Sequence, residues 1–416
     1  MWLSQLRLVN FRNFGHLRLD AEPGVLVFCG RNGQGKTNLL ESIYVLATSR
    51  SPRTSTEREL LNWQAPPDPD LAAVLAPFAR LEGRVRRAEG EVHLEVLFEG
   101  ERPVTEAGAQ PSPETPGSIT RAIKINGLPA RATGLVGQLP VVYFSPGDVA
   151  LAGGPPAGRR QYLNLANSQA SASHLRALQR YNRILLQRNQ VLRLVRERRQ
   201  PPRALEPWTD QMVECGALVL WQRLEMLSDV DARAAAIFRD LAGTEGTLRV
   251  VYRSTADLGE VSAGDSVPPS LEAITAAFRA HQERVAGREI DQAVSLVGPH
   301  RDDFGFLLDS VDLNTYGSRG QQRLAVLALK LAEADWMRAT VGELPVVLLD
   351  DVLSELDPYH REYVLRRVAL ASERDGDGAA RQRQVWITTT ELGGWSSELL
   401  GSAQHYIIDA GQVRRA

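Results

Sequence analysis

Eight consecutive residues near the N-terminus, Gly30-Arg31-Asn32-Gly33-Gln34-Gly35-Lys36-Thr37, fill the pattern G-x-x-x-x-G-K-[ST] of a phosphate-binding loop. Such a loop brings backbone N–H groups close to phosphate oxygens, so it needs glycine where a Cβ would block the approach. In this pattern Lys36 reaches the β- and γ-phosphates, and the hydroxyl of Thr37 ligates Mg²⁺. The sequence therefore predicts a Walker A motif.

The flanking sequence supplies the two elements that must position this loop. The apolar run Val25–Cys29 predicts a buried strand, and Thr37–Ala47 predicts a helix whose N-terminus faces the anion. The alternative is a glycine-rich turn that matches by chance. That alternative is weakened because the chain contains only three lysines, Lys36, Lys124 and Lys330, and one stands where a compact ammonium is required.

A second constellation follows the apolar stretch 344–349, which ends in the carboxylates Asp350 and Asp351. This is the pattern of a Walker B strand, although an isolated run of this kind can equally be structural. A strand buried on both faces would place Asp350 beside the Walker A loop, where it can hold Mg²⁺ together with Thr37. Asp351 can then orient or deprotonate the attacking water. Ser354-Glu355-Leu356-Asp357 follows at the place of a D-loop.

A further phosphate-binding surface is predicted ahead of the amphipathic helix Leu324–Trp336. Ser318, Gly320 and Gln321 there have the layout of an ABC-type signature motif, in which helix N-terminal N–H groups and the serine hydroxyl face a phosphate. This surface is separate from the Walker A loop of the same chain, so it needs a partner's nucleotide. The alternative is that Ser318 simply caps the helix, with Gln321 at the third position.

Composition sets the outer limits. A chain of 416 residues that is 43% hydrophobic and 24% charged is long enough for a large core in two or three domains. Neither a transmembrane span nor a signal peptide is predicted, which makes the cytoplasm the expected location. The formal net charge of -2 argues against a uniformly basic protein, so any DNA contact must come from a local patch. Cys29 and Cys215 are expected to be buried thiols.

The motifs and the periodicity together predict three segments. Residues 1–155 and 290–416 carry the nucleotide motifs and are predicted to form one ATPase domain, and residues 156–289 are predicted to form a helical arm inserted into it. Two helical stretches, Pro156–Arg199 and Trp208–Leu241, flank a break at 200–202, which predicts an antiparallel helical hairpin. Glu101–Ser118 and Leu258–Pro269 are predicted as a surface loop and a link. Alternating apolar and polar residues predict strands outside the arm, at Leu3–Arg12, Leu17–Asp20, Arg80–Arg87, Glu91–Phe98 and Ala122–Leu128.

In this order and spacing, the motifs resemble the RecF family of bacterial recombination mediators, which are related to the heads of SMC-type chromosome proteins. The resemblance runs from about Met1 to Ile408, and the Asp350-Asp351 pair, where transporters usually have Asp-Glu, is similar to RecF in particular. The other residues that carry it are Asn10-Phe11-Arg12-Asn13-Phe14, the Walker A loop, Phe144-Ser145-Pro146-Gly147-Asp148, Arg159-Arg160, Gly298-Pro299-His300-Arg301-Asp302-Asp303, Ser318 to Arg323 and Val352 to Asp357.

The resemblance implies an α/β fold: an ABC-type, SMC head-like P-loop ATPase domain of mixed sheets and helices with an inserted helical arm. It implies a slow ATPase that uses ATP and Mg²⁺, with Lys36, Asp350 and Asp351 as catalytic residues, and that dimerises around ATP. It also implies binding to duplex DNA near single-strand gaps, and action with RecO and RecR to place RecA there. A transporter motor is disfavoured by the long insertion between Asp148 and Ser318, and a nucleotide-gated structural clamp remains as an alternative.

Several positions are left open by the resemblance. It gives Arg12 a contact to the nucleotide, whereas a surface arginine is the alternative. His300 and Arg301 could touch nucleotide or DNA, or could pair with the neighbouring Asp302 and Asp303.

Two further positions depart from the ABC pattern. Gln138 is only a candidate for the Q-loop glutamine, and Thr388-Thr389-Thr390 stand in place of the switch histidine, so the γ-phosphate sensor is unassigned.

A basic helical stretch suggests contact with DNA, and the alternative is a solvated arm. The arginines of this stretch are Arg176, Arg180, Arg183, Arg188, Arg193, Arg196, Arg198 and Arg199.

Overall fold

The computed structural model describes residues 1–62, 77–100, 119–243, 246–258, 260–262, 268–369, 372–374, 380–391, 395 and 401–416. By its contacts the chain divides into two compact units. Unit 1 consists of Met1–Pro146 with Val341–Ala416, and unit 2 consists of Gly147–Thr340. The predicted loop Glu101–Ser118 and part of the predicted link Leu258–Pro269 lie outside the described residues.

The strands alternate with helices only in parts of the chain, in keeping with a mixed architecture. They are β1 (Trp2–Phe11), β2 (Phe14–Asp20), β3 (Val25–Cys29), β4 (Phe78–Arg87), β5 (Gly90–Gly100), β6 (Ile119–Ile125), β7 (Leu128–Ala130), β8 (Val141–Phe144), β9 (Leu248–Arg253), β10 (Glu260–Ser262), β11 (Asp303–Leu308), β12 (Val311–Asp312), β13 (Val346–Asp350), β14 (Ser372–Arg374), β15 (Ala380–Gln382), β16 (Val385–Thr389), β17 (Gln404–Asp409) and β18 (Gln412–Arg415).

The α-helices are longest in unit 2. They are α1 (Lys36–Thr48), α2 (Ala132–Leu135), α3 (Ala150–Gly153), α4 (Pro156–Ala170), α5 (Ala172–Arg196), α6 (Glu206–Ala242), α7 (Leu271–Gln292), α8 (Leu313–Tyr316), α9 (Arg319–Val341) and α10 (Pro358–Ala369). Short 3₁₀ turns lie at Glu57–Leu60, Pro146–Val149, Pro202–Leu205 and Val352–Glu355. Among the described residues, no helix is long and apolar enough to span a membrane.

Unit 1 contains an antiparallel sheet of six strands in the order β2-β1-β4-β5-β6-β7. Strands β1, β2, β4 and β5 were predicted from their alternating pattern, and the apolar side chains of Leu3, Leu6 and Leu8 are fully buried on one face. A tight turn connects β6 and β7 within the predicted strand stretch Ala122–Leu128. Asn126 and Gly127 have φ of 51° and 78°, the left-handed values that a tight hairpin turn requires.

The second sheet of unit 1 positions the predicted phosphate chemistry. Its order is β18-β17-β3-β16-β13-β8, and all neighbours are parallel except β17 and β18. Every residue of β13 and β16 is buried, as expected for parallel strands covered on both faces. Because β3 and β13 are both parallel to β16 between them, the loop after β3 and the carboxylate Asp350 at the end of β13 lie at one edge.

Unit 2 contains helices α4 to α7 with a four-stranded antiparallel sheet in the order β10-β9-β11-β12. The predicted hairpin is confirmed, because hydrogen bonds join α5 and α6 in antiparallel register: His174 to Gln222, Arg180 to Glu214 and Arg188 to Thr209. The prediction of one continuous helical stretch over residues 156–199 was wrong. The chain is extended at Ser171, whose hydroxyl accepts a hydrogen bond from the backbone N–H of His174 and caps α5.

The two units do not coincide with the predicted arm limits of 156 and 289. Unit 2 also includes most of α9, which packs on α4 with Lys330 Nζ lying 5.0 Å from the ring centroid of Tyr162. The arm as a separate domain of residues 156–289 stays a prediction.

The expectation that both cysteines are buried thiols was only half right, because Cys215 is buried whereas Cys29 is partly exposed.

Candidate nucleotide-binding site

The Walker A loop connects β3 to α1, as predicted. Gly33 and Gly35 have φ of 80° and 112°, which favour glycine. At Gly35 a Cβ would lie 2.6 Å from Asn13 Nδ2, and at Gly30 it would collide with the carbonyl oxygen of Ile408. The three glycines are therefore required by backbone conformation or by close packing behind the loop.

Neighbouring segments hold the loop from its inner side. The side-chain amide of Asn13 donates to the carbonyl of Gln34 over 2.9 Å, and Asn38 Nδ2 donates to Asn13 Oδ1 over 2.8 Å. The backbone N–H groups of Ala410 and Gly411 donate to the side chain and the carbonyl of Gln34 over 2.6 and 3.1 Å. The loop is thus fixed, while Arg31, Asn32 and Gly33 are exposed on its outer side.

The Lys36 ammonium lies over the loop. Nζ donates to the carbonyls of Gly30 and Arg31, the latter over 3.0 Å, and the residue is only 7% exposed. Burial lowers the pKa of Lys36, and the negative charges of Asp351 and Asp350 act in the opposite direction. The cation therefore lies in the field of both carboxylates.

Asp350 is confirmed as a neighbour of the Walker A loop. Its Oδ1 accepts hydrogen bonds from the hydroxyls of Thr37 at 3.0 Å and Thr388 at 2.9 Å, while Oδ2 accepts one from Tyr143 at 2.9 Å. A hydroxyl and a carboxylate oxygen side by side are the hard oxygen ligands that Mg²⁺ uses beside phosphates. Thr37 and Asp350 therefore fit a magnesium ion.

Asp351 has an unusual backbone and an unpaired oxygen. Its φ is 53°, and its N–H donates to Thr388 Oγ1 over 3.0 Å. Its Oδ1 is buried and accepts no hydrogen bond from the described part of the chain. A buried carboxylate oxygen without a donor is costly, so this atom is suited to accept a hydrogen bond from a small molecule such as water.

Ser318 and Gln321 form a reciprocal capping box at the start of α9. The N–H of Gln321 donates to Ser318 Oγ over 3.2 Å, and the N–H of Ser318 donates to Gln321 Oε1 over 2.9 Å. The capping alternative is thus confirmed as a structural role. It does not exclude phosphate contact, because the serine hydroxyl keeps its own proton to donate and a Cβ on Gly320 would meet only Ser318 Oγ, at 3.9 Å.

Arg12 is held by an acidic partner on α1. Its guanidinium donates to both carboxylate oxygens of Glu41, over 3.0 and 2.7 Å, and to the carbonyl of Glu59 over 2.8 Å. The Arg12 side chain is 15% exposed and Glu41 is fully buried, so a freely solvated surface arginine does not describe this residue. Its contact to a nucleotide stays a prediction.

The Pro-His-Arg segment packs into unit 2 and does not pair with its own aspartates. His300 Nδ1 lies 2.6 Å from the Tyr181 hydroxyl, and burial lowers the pKa of His300 to about 4, which leaves it neutral near pH 7. Asp302 accepts hydrogen bonds from Thr255 and Tyr252. The neutral imidazole and its partners favour a structural role for His300.

Asp303 forms an ion pair with a residue of α4. Arg159 binds it through two parallel hydrogen bonds of 2.7 and 2.6 Å. Of the two alternatives, the pairing of His300 and Arg301 with Asp302 and Asp303 is not what the structure shows, because other donors occupy both carboxylates.

Gln138 was a wrong candidate for the Q-loop. It precedes Val141, which pairs with Val346 at the start of β13, so it lies at the sheet edge opposite to Asp350. Its side-chain amide donates to the carbonyl of Gly134 over 3.2 Å. The residues that follow β8 at the Walker edge are Ser145 and Pro146.

Sequence reasoning missed two hydroxyls that contact Asp350. Tyr143 lies next to last in β8, and Thr388 lies directly beside Asp350 in the β13–β16 register. The available signals were a lone hydroxyl in the apolar run 141–144 and the threonine run at the end of β16. Neither identifies a partner without the strand order.

Comparison with known proteins agrees with this geometry. The family model described as RecF/RecN/SMC N terminal domain matches residues 2–376. Proteins named DNA replication and repair protein RecF are similar over 99% of both chains, at 39% identity in Chloroflexus aurantiacus and 42% in Roseiflexus castenholzii.

Solved structures are similar as well. One, described as the recombination mediator protein RecF-ATP in the RecFOR pathway, has a TM-score of 0.80 and 27% identity, and the similarity covers 100% of this chain and 97% of that chain. An Smc head bound to a domain of ScpA, at 12% identity and a TM-score of 0.52, shares the fold. The chain has an ABC-type ATPase fold with both Walker motifs at one edge of its parallel sheet, and it is similar to these relatives over its full length. It therefore belongs to the RecF family of DNA replication and repair proteins.

Proposed function

We propose that this chain is an ATP-dependent, DNA-binding recombination mediator whose slow ATP hydrolysis acts as a release switch. It binds duplex DNA near single-strand gaps and helps to load RecA during repair and replication restart. The observation that carries the proposal is the 3.0 Å hydrogen bond between Thr37 and Asp350, with the unpaired Oδ1 of Asp351 on the next residue.

Each residue then has a defined task. The backbone of residues 30–35 and the Lys36 ammonium bind the phosphates, and Asp351 orients and accepts a proton from the attacking water. Thr37 and Asp350 would hold Mg²⁺, which when bound neutralises charge on the phosphate oxygens. Thr388 and Tyr143 fix the Asp350 carboxylate in place. The task of Arg12 is to contact the nucleotide once it separates from Glu41.

The proposed partners follow from the family and from the separate signature surface. Ser318, Gly320 and Gln321 would contact the nucleotide of a second copy, as the resemblance to ABC-type heads implies for a signature motif. A symmetric dimer binds two nucleotides in this way. RecR, acting with RecO, and RecA indirectly are proposed as partners because a solved relative is described as a recombination mediator of the RecFOR pathway.

Substitution at Ser318 tests the dimer. Ser318→Arg fills the signature surface, so we expect a protein that binds ATP as a monomer and loses ATP-dependent DNA binding. Ser318→Ala is the matched control: it removes the cap, at a cost of about 1 kcal/mol, but leaves the surface open. If Ser318→Arg dimerised with ATP as the unmodified protein does, Ser318 would be only a helix cap.

A nucleotide-gated structural clamp, not specific to gap repair, would use the same site. The discriminating measurement is ATP hydrolysis in the presence of gapped and of intact duplex DNA. A gap-repair mediator is expected to respond more strongly to the gapped duplex. Equal stimulation by both would favour the structural clamp.

A further inference from the structure

The turn between α5 and α6 carries a dense group of arginines, which we name the arm tip. All of its arginines are exposed, and Glu197 is the only acidic residue between the first and the last of them. The arm tip consists of Arg193, Arg196, Arg198, Arg199 and Arg203.

The backbone of the arm tip is a regular helix stop. The N–H of Arg198 donates to the carbonyl of Val195 over 2.9 Å, and that of Arg199 donates to Leu194 over 2.8 Å, which is the double hydrogen bond of a Schellman motif. Arg198 has the left-handed φ of 58° that this motif needs. Glycine is the residue that fits there without steric cost, so arginine at this position places a cation at the expense of stability.

The arm tip is also well supported from below. Leu192, Val195 and Leu205 form a buried apolar cluster, with Val191 and Ile290 packed against it. Pro201 and Pro202 restrict the turn, since proline fixes the backbone angle φ. The exposed cations are therefore presented by an ordered platform, which lowers the entropy lost when they bind.

Charge compensation is sparse at the arm tip. Arg199 lies 3.4 Å from Glu197, whereas Arg193, Arg196, Arg198 and Arg203 have no ion pair within the part of the chain that the structure describes. Elsewhere on α5 the arginines are of both kinds. Arg180 pairs with Glu214 and the buried Arg188 pairs with Glu289, whereas Arg176 and Arg183 have no ion pair among the described residues.

The helix dipole offers a structural explanation for part of this charge. Cations in the last turn of a helix are stabilising, which accounts for Arg193 and Arg196. It does not account for Arg198, Arg199 and Arg203, which follow the end of α5. These three exposed cations are available to a polyanionic partner.

We propose that the arm tip binds the phosphate backbone of duplex DNA, an inference that rests on the proposed DNA-binding function. Guanidinium groups match phosphate oxygens in charge and in the geometry of their paired donors. Contacts of this kind are independent of base sequence, which suits a protein that recognises a junction by its structure.

Arg198→Gly tests the inference, because binding and stability are expected to change in opposite directions. Glycine relieves the left-handed backbone, so resistance to denaturant should be equal or higher, while affinity for duplex DNA in the presence of ATP falls. Loss of one phosphate contact should reduce the slope of log Kobs against log salt concentration by about 1, and the combination with Arg196→Gln and Arg199→Gln should reduce it by about 3.

Arg239→Ala is the matched control, since it removes an exposed arginine from the last turn of α6, at the end of that helix far from the arm tip. Its salt slope should equal that of the unmodified protein. Unchanged slopes in the arm-tip variants would overturn the inference while leaving the proposed function intact. Absence of DNA binding by the unmodified protein would instead refute the proposed function. Weaker binding to an acidic partner protein with unchanged DNA affinity would also overturn the inference.

Discussion

Thr388 is the residue through which both Walker B carboxylates can be tested with one small change. Its hydroxyl donates to Asp350 Oδ1 over 2.9 Å and accepts from the N–H of Asp351 over 3.0 Å, and the residue is fully buried. Thr388→Val keeps the volume of the side chain and removes both hydrogen bonds. We therefore expect the variant to fold with a looser Asp350 and Asp351.

The size of the effect follows from the partners. A hydrogen bond to a charged acceptor contributes about 1.5–3 kcal/mol to the free energy of unfolding. The N–H of Asp351 keeps a second bond, 3.3 Å long, to the Thr388 carbonyl, so its loss should be partly compensated. If all of this hydrogen-bond energy also stabilised the transition state of ATP hydrolysis, its loss would slow ATP turnover roughly 10- to 150-fold. This range is an upper limit.

Thr388→Ser separates the hydroxyl from the packing. It keeps the hydroxyl and removes one buried methyl group, at a cost of about 1 kcal/mol. Both variants should be compared by denaturant unfolding without nucleotide and by steady-state ATP hydrolysis with Mg²⁺. If Thr388→Val were as stable and as active as Thr388→Ser, the hydroxyl would not support the carboxylates and the reasoning would be refuted.

Three further expectations can be checked separately. Lys36→Ala should abolish productive ATP binding, measured by nucleotide titration, while the circular dichroism spectrum is unchanged, because the loop is held by Asn13 and Gln34. Arg188→Ala should cost about 3–5 kcal/mol in chemical denaturation because it leaves the Glu289 carboxylate buried without its guanidinium, whereas Arg188→Met with Glu289→Leu should cost less. The free energy of unfolding should fall as pH is lowered from about 6.5 towards 4. Burial lowers the pKa of His174 to about 3 and that of His300 to about 4, so in this range the unfolded chain binds protons that the folded chain does not. His174→Gln combined with His300→Gln should flatten this pH dependence in chemical denaturation.

Local patterns sufficed to predict the elements that carry the phosphate chemistry. The glycines of the loop and the apolar run before Asp350 each encode their own conformation. The carboxyl ends of parallel strands lie at the same edge of a sheet, so a parallel strand that ends in Asp350 ends at the edge where the Walker A loop follows β3. The strands β1, β2, β4 and β5 were likewise predicted from their alternation.

Features that depend on strand order or on distant partners were not predictable. Thr388 and Tyr143 reach Asp350 only because β16 and β8 flank β13, which no short pattern states. The wrong choice of Gln138 has the same origin, since its edge of the sheet depends on the direction of β8. The break at Ser171 was missed because the apolar stripe continues on both sides of it.

Molecular mass in solution tests the central claim most directly. Asp351→Asn removes the proposed water-activating carboxylate and leaves Asp350 and Thr37 in place, so ATP and Mg²⁺ should bind without being consumed. We expect the variant to have the monomer mass of 45.8 kDa without nucleotide and twice that mass with ATP and Mg²⁺. A variant that binds ATP and stays at the monomer mass would contradict the nucleotide-dependent dimer and the release switch based on it.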